Sequence, residues 1–159
     1  MAKQLKLKIV TPERVILEEE AEQVTLPTTQ GEITVLPDHI PLITGLASGD
    51  IVAVINGEHV PMAVVGGFIE IRHDPHMQTE VAVLADFAEH VNELSDEKIA
   101  EAKARAEEMR KKMPARSATG VAGGENKEHL DFEHFEAELE RSLTRVKIAD
   151  KWRTRKYRN

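Results

Sequence analysis

The hydrophobic pattern of this chain changes period once, near residue 87, and no single-period fold can accommodate both halves. Before that point apolar residues alternate. Leu5, Leu7 and Ile9 are interleaved with Gln4, Lys6 and Lys8, the pattern of a half-buried strand. The same spacing recurs at Val24 and Leu26, at Ile51, Ala53 and Ile55, and at Val60, Met62 and Val64. It returns at Ile69 and Ile71 and at Val81 and Val83. Turn signals separate the runs: Thr11-Pro12, Pro27, Gly49-Asp50, Asn56-Gly57 and His73-Asp74-Pro75. Asn56-Gly57 is the sharpest of them, because a type I′ hairpin turn requires positive φ at both central positions. Short strands at this spacing predict a sandwich or flattened barrel.

Beyond residue 87 the period is helical. Ile99, Ala102, Ala106, Met109 and Met113 form one stripe. Ser95 is placed to cap the helix, with Asp96 and Glu97 at the positive end of its dipole, and Pro114 is expected to end it. The small and Gly-rich run ARSATGVAGGEN reads as a linker. A second helix is expected from near Asp131, striped by Phe132, Phe135, Leu139, Leu143 and Val146. The resulting expectation is an α+β chain. An antiparallel β-sandwich spans 1–87, and an antiparallel helical hairpin spans 88–159 with a linker at about 114–129. The Ala and Met seam of the first helix buries little apolar area, which permits a hairpin that moves as well as one permanently docked.

Within the strand half, Gly31 to Leu46 (GEITVLPDHIPLITGL) stands apart. Pro37 and Pro41 cannot donate to a ladder, so they bracket a bend or sheet edge. The pattern matches a sandwich rim offering a loop to a partner and no catalytic motif.

Charge is distributed unevenly. The chain carries 21 Lys and Arg against 28 Asp and Glu, a net −7. Residues 141–159 hold eight of the bases and one acid, Asp150, for +7, which leaves −14 on the preceding body. A basic tail on an acidic body suits an acidic protein partner. The run KWRTRKYRN interleaves aromatic and basic residues, but the acidic body disfavours nucleic acid. Cysteine is absent, which excludes disulfides and thiolate metal sites and fits a reducing compartment. The first ten residues resemble neither a secretory signal nor a transit peptide. No apolar run approaches the roughly 18 residues of a membrane span.

Candidate chemistry is sparse. His73 and His76 flank Asp74 in a turn without an obvious third ligand, so a solvated turn outweighs a metal-dependent sandwich enzyme. His129 and His134 do not share a helix face. His39 suits a turn residue bonded to its own backbone. Glu70 is expected to face away from Ile69 and Ile71, and Gly66-Gly67 to mark a bulge or a close backbone approach. Neither a G-x-S-x-G elbow nor a phosphate-binding glycine loop is present.

Five segments taken in order carry a resemblance: Gly31-Glu32-Ile33, Leu36-Pro37-Asp38-His39-Ile40-Pro41-Leu42, Gly66-Gly67-Phe68-Ile69-Glu70-Ile71, Val83-Leu84-Ala85-Asp86 and Glu101-Ala102-Lys103. Together they resemble the epsilon subunit of F-type ATP synthase over nearly the whole chain. The resemblance implies a non-catalytic central-stalk subunit on the gamma subunit and the ring of c subunits. Such a subunit couples proton-driven rotation to ATP synthesis, and its terminal helices can brake ATP hydrolysis. It implies Glu32 and His39 as c-ring contacts, and Arg141, Arg145, Lys147 and Lys151 as contacts to an acidic segment of beta, in a complex that also holds alpha. It implies a peripheral position on the cytoplasmic side of a bacterial plasma membrane, with no direct membrane insertion. Some members bind ATP through Ile/Leu-Asp-x-x-Arg-Ala. The matching positions here, Leu94, Ser95, Lys98 and Ile99, lack the carboxylate and the guanidinium, and Lys is no substitute for a planar donor fork. No ATP cofactor is expected, and no metal. The Gly-rich connection is also longer than the family pattern. A scaffold adaptor unconnected to any ATP synthase is the remaining alternative.

Overall fold

The computed structural model describes residues 3–112 and 126–156. Eight strands come first: β1 (Leu5–Val10), β2 (Val15–Ala21), β3 (Gln23–Thr28), β4 (Gly31–Val35), β5 (Leu42–Gly45), β6 (Gly49–Ile55), β7 (Glu58–His73) and β8 (Thr79–His90). A 3-10 turn at Val91–Glu93 leads into α1 (Asp96–Lys112), and α2 (Asn126–Lys156) follows. The strands run in the order β2-β1-β8-β7-β6-β3-β4, with β5 on β7. The sheet folds over a core of Leu5, Leu7, Ile9, Leu26, Ile51 and Ile71, all at most 1% exposed. Alternation in β1 does what it predicts, since Leu5, Leu7 and Ile9 go inward while the intervening lysines face out.

The ladders are antiparallel with one exception. β1 pairs with β8 in parallel, from Lys6 opposite Glu80 to Val10 opposite Leu84. The expected sandwich therefore stands, with one parallel ladder in it. The physical reason is that the strands between β1 and β8 serve as the long crossover a parallel pair requires.

The longest strand organises the rest. β7 pairs with β8 along its length, with β6 through its first half and with β5 through its second. Between the halves, Gly66 and Gly67 have φ of +55° and +118°. At this point the inward-facing parity changes, from Met62 and Val64 to Ile69 and Ile71. A Cβ on Gly67 would lie 2.0 Å from the Leu84 carbonyl oxygen, so the expected bulge is also a close backbone approach. Asn56 and Gly57, at φ +52° and +77°, make the expected hairpin turn. Glu70 faces away from the buried Ile69 and Ile71, also as expected.

Several boundaries differ from the sequence expectation. β2 was not expected, because the acids Glu18, Glu19 and Glu20 mask its alternation. It is a sheet edge whose Glu18 meets Lys8 at 3.3 Å and Lys6 at 3.6 Å. Lys8 above all holds the Glu18 carboxyl below its ordinary pKa. Gly49-Asp50 opens β6 instead of making a turn. Pro27 sits inside β3, beyond the last β3–β6 pair at Thr25, where its missing N–H costs no ladder bond. The sheet continues to His90, past the expected boundary at 87.

α1 buries Ile99, Ala102 and Ala106 as its stripe requires. Ser95 Oγ accepts the Lys98 amide at 3.3 Å, in the capping role expected of it. α2 starts at Asn126, earlier than Asp131, so residues 126–129 of the expected linker are helical. Met113, Pro114, residues 115–125 and the side chains of His129 and Phe132 lie outside what is described. Phe135, Leu139 and Val146 are half-buried, but Leu143 is 38% exposed. The buried positions are Ser142, Thr144, Ile148 and Ala149. The helices are antiparallel, with Arg153 near the end of α2 paired to Asp96 at the start of α1, and Arg105 2.8 Å from Glu138.

Gly67→Ala is expected to destabilise the fold by about 3 kcal/mol or more, because the β7–β8 ladder itself must part. Gly57→Ala, with nothing within 4 Å of the new methyl, is expected to cost about 1 kcal/mol. Urea unfolding of the two variants checks this, and equal losses would refute the role given to Gly67.

Candidate functional site

The rim loop between β4 and β5 is held by short polar contacts. The His39 amide donates to the Leu36 carbonyl at 3.1 Å, and the imidazole Nδ1 lies 2.7 Å from the Ile40 carbonyl. Asp38, at φ +68°, accepts Lys3 Nζ at 2.7 Å, and its amide donates to Thr79 Oγ1 at 2.8 Å. His39 is therefore the turn residue its chemistry predicts, presented at the sheet end where β1 and β8 begin. Glu32 lies at the other end of β4, opposite Pro27, and is exposed. The intervening strand spans roughly 10 Å, so these two residues offer two contact points and not one.

His73 and His76 line a cleft of about 510 Å³ with Asp38 and Lys3. The Asp74 carboxylate accepts the His76 and Gln78 amides, each at 2.8 Å, and so organises the turn. Among the described residues no three His, Cys, Asp or Glu side chains gather as metal ligands.

A feature that the sequence reading missed lies on the outer face of the sheet. Val15 pairs with Val10, Val10 with Leu84, Leu84 with Phe68, and Phe68 with Gly45. This is one cross-strand row over β2, β1, β8, β7 and β5. Val15, Leu84 and Phe68 are 54%, 52% and 65% exposed, and Ile43, two residues from Gly45 and so on the same face, is 73% exposed. Cross-strand neighbours on one face act as a unit, so these side chains form an apolar stripe that stands exposed among the described residues. The sequence signal was the breach of alternation: Val10 shares its face with Lys6 and Lys8.

The other half of the outer face is covered by the helices. Arg145 Nε donates to Glu89 Oε2 at 2.8 Å, and Lys98 Nζ meets Glu89 Oε1 at 3.2 Å. Arg145 and Arg141 stand over the Phe87 ring, at 4.6 and 5.9 Å from its centroid. Lys151 Nζ reaches both Asp50 oxygens at 2.8 Å, and Trp152 Nε1 donates to Asp50 at 3.1 Å. Arg141, Arg145 and Lys151 thus face the sandwich, while Lys147 is exposed beside a groove of about 490 Å³ lined by Ser48, Gly49 and α2. Ser95 and Lys98 are occupied, one as the helix cap and the other in an ion pair.

A folded-over sheet with one half of its outer face under a helix pair, and the other half apolar and bare, defines a partner-binding module. The comparisons agree with that class. The sequence model for the ATP synthase, Delta/Epsilon chain, beta-sandwich domain matches residues 4–91. An ATP synthase epsilon chain from Dehalococcoides mccartyi is 40% identical over 153 residues, 96% of each chain. One from Desulforamulus reducens is 34% identical over 94% of this chain and all of its own length. In solved structures, a chain of the Euglena gracilis mitochondrial ATP synthase (OSCP/F1/c-ring, rotational state 1) shares the fold. It has a TM-score of 0.61 and 23% identity, covering 89% of this chain and 78% of its own. The chain belongs to the ATP synthase epsilon chain family, a non-catalytic part of that complex.

Phe68→Lys combined with Leu84→Lys is expected to change the stability of the isolated chain by no more than about 1 kcal/mol, because both side chains are already largely in water. Thermal unfolding checks this. A loss of several kcal/mol would mean the stripe belongs to the core.

Proposed function

We propose that this chain is the coupling piece of a bacterial F-type ATP synthase rotor, with its sandwich seated on gamma and the c-ring and its helices acting as a movable brake on ATP hydrolysis. The single observation that carries the reading is the bare apolar stripe in a chain of this family, since a monomer gains nothing by leaving Phe68, Leu84, Ile43 and Val15 in water. A gamma-like surface with apolar side chains would cover it. Glu32 and His39, at the two ends of β4, are the proposed c-ring contacts.

The brake is supported by the helix pair's composition. Arg141, Arg145, Lys147 and Lys151 carry positive charge along α2, and an acidic segment of beta is the proposed partner once the helices extend. Among the described residues no helix is long and apolar enough to cross a membrane. The proposed location is therefore peripheral, on the cytoplasmic face of the membrane that holds the ring. Occupied Ser95 and Lys98 support a chain that regulates without bound ATP.

Two expected outcomes test the reading. The Phe68→Lys, Leu84→Lys variant should fail to co-purify with gamma from its own cells, while the parent chain recovers alpha, beta and gamma. Removing residues 114–159 should raise ATP hydrolysis by the assembled complex several-fold without loss of assembly. Unchanged hydrolysis would refute the brake, and retention of gamma by the double variant would refute the stripe as its seat.

A further inference from the structure

The sandwich and the helix pair have separate apolar clusters. The sandwich cluster draws every buried member from the strands and from Leu46. The helical cluster is Leu94, Ile99 and Ala149, with Val91 and Val146 against it. Neither crosses the boundary. Between the clusters Ala63 and Val65 of β7 and Ile148 of α2 are buried at the seam, and polar contacts surround this small apolar patch: Ser48 Oγ to Glu140 at 2.5 Å, Asp50 to Lys151 and Trp152, and Glu89 to Lys98 and Arg145.

The two acids are also in register. Asp50 on β6 pairs with Ala63 on β7, and Ala63 pairs with Glu89 on β8. They therefore flank one small residue on a single cross-strand row, two strand spacings or roughly 10 Å apart. On α2 their bases are Arg145 and Lys151, six residues or about 9 Å of helix rise apart. The rise is close to the strand spacing, and six residues turn the helix so that the two bases leave it about 120° apart, reaching their acids from its two flanks with the buried Ala63 between. The side chains of Glu89 and Asp50 are only 8% and 10% exposed, whereas Arg145, Lys151 and Lys98 are 33%, 46% and 53% exposed.

From this juxtaposition we infer that Asp50 and Glu89 form a two-point ionic latch that seats the helix pair, and that in the seated state they withhold Arg145 and Lys151 from any acidic partner. Glu89 ties down both helices at once, through Lys98 of α1 and Arg145 of α2. The carboxylates are the buried members, so removing a base costs more than removing an acid. Without Arg145, Glu89 keeps only the half-exposed Lys98, and without Lys151, Asp50 keeps only the Trp152 N–H, so each mostly buried carboxylate is under-compensated until the helices lift and water reaches it. An acid lost leaves a half-exposed base that water already serves. The inference rests on the proposed mobility of the helices, but concerns only what holds them down.

The chain has no cysteine and one tryptophan, so it can be probed without background. Ser48→Cys with Glu140→Cys is expected to cross-link only in the seated state, and Trp152 emission to shift to the red when the indole leaves Asp50. In the isolated full-length chain, Arg145→Gln and Lys151→Met should each slow cross-linking about tenfold. Asp50→Asn and Glu89→Gln should slow it less, while Lys147→Gln, between the two anchors, should leave it unchanged. Both base substitutions leave the sheet untouched, so a folding defect in the sandwich does not confound them. Cross-linking and emission indifferent to all four substitutions would overturn the latch, as would an effect of Lys147→Gln equal to theirs. The hydrolysis assay on the truncated chain tests the brake independently, so one can fail while the other stands.

Discussion

The Gly66–Gly67 crossing in β7 is the constraint on which the rest of the molecule depends. A continuous strand ordinarily keeps one face to the core along its whole length. Here the inward parity switches between Val64 and Ile69, which lets one strand serve both layers of the folded-over sheet. On the first half, the face turned away from the core carries Ala63 and Val65, and the helices cover it. On the second half it carries Phe68 and Glu70, and it stays open. Two functional surfaces of opposite character, one ionic and one apolar, therefore hang on one pair of residues at positive φ.

Energies rank the parts. The sandwich buries many Leu, Ile and Val side chains, each contributing roughly 1.5–3 kcal/mol, and closes its ladders without help from the helices. The helix pair brings mainly Ala to its own seam and closes against the sheet over a small apolar patch, Ala63, Val65 and Ile148, flanked by charge pairs. Loss of the helices from their seat should leave the sandwich intact, because no buried apolar side chain of the sheet cluster depends on them. This division fits the proposed function, in which the sandwich stays in place while the helices leave.

Legibility in the sequence followed the range of the interactions. Local pattern sufficed for β1, for the Asn56-Gly57 hairpin, for the Ile99, Ala102 and Ala106 stripe and for Ser95 as a cap, since each is set within a few residues. The family resemblance pointed to Glu32 and His39 and to Arg141, Arg145, Lys147 and Lys151 as contact candidates, and the local pattern alone carried no such signal. What escaped was fixed by register. Val15, Val10, Leu84 and Phe68 become neighbours only through three different ladders, one of them parallel. Asp50 was hidden by its glycine neighbour, which mimics a turn. Glu89 shows its purpose only when Ala63 places it beside Asp50. On α2 the expected stripe holds at Phe135, Leu139 and Val146 but not at Leu143, where the neighbouring Ser142 is the buried residue and hydrophobicity gives no sign of it.

A polar seam also suits a regulatory element better than an apolar one. Moving a two-state equilibrium from almost wholly one side to the other takes about 5.5 kcal/mol of differential binding. A seam of large apolar side chains would set the closed state too deep for a modest partner to overcome, and the exposed apolar face would cling to anything nearby once open. Carboxylate–base pairs around a small patch of Ala63, Val65 and Ile148 lessen both difficulties. An acidic partner can take over Arg145 and Lys151 with bonds of the same kind, so the exchange is nearly balanced. The released bases and acids are both soluble in water. Two acids two strands apart, met by two bases from opposite flanks of one helix, fix the seat in position without making it deep.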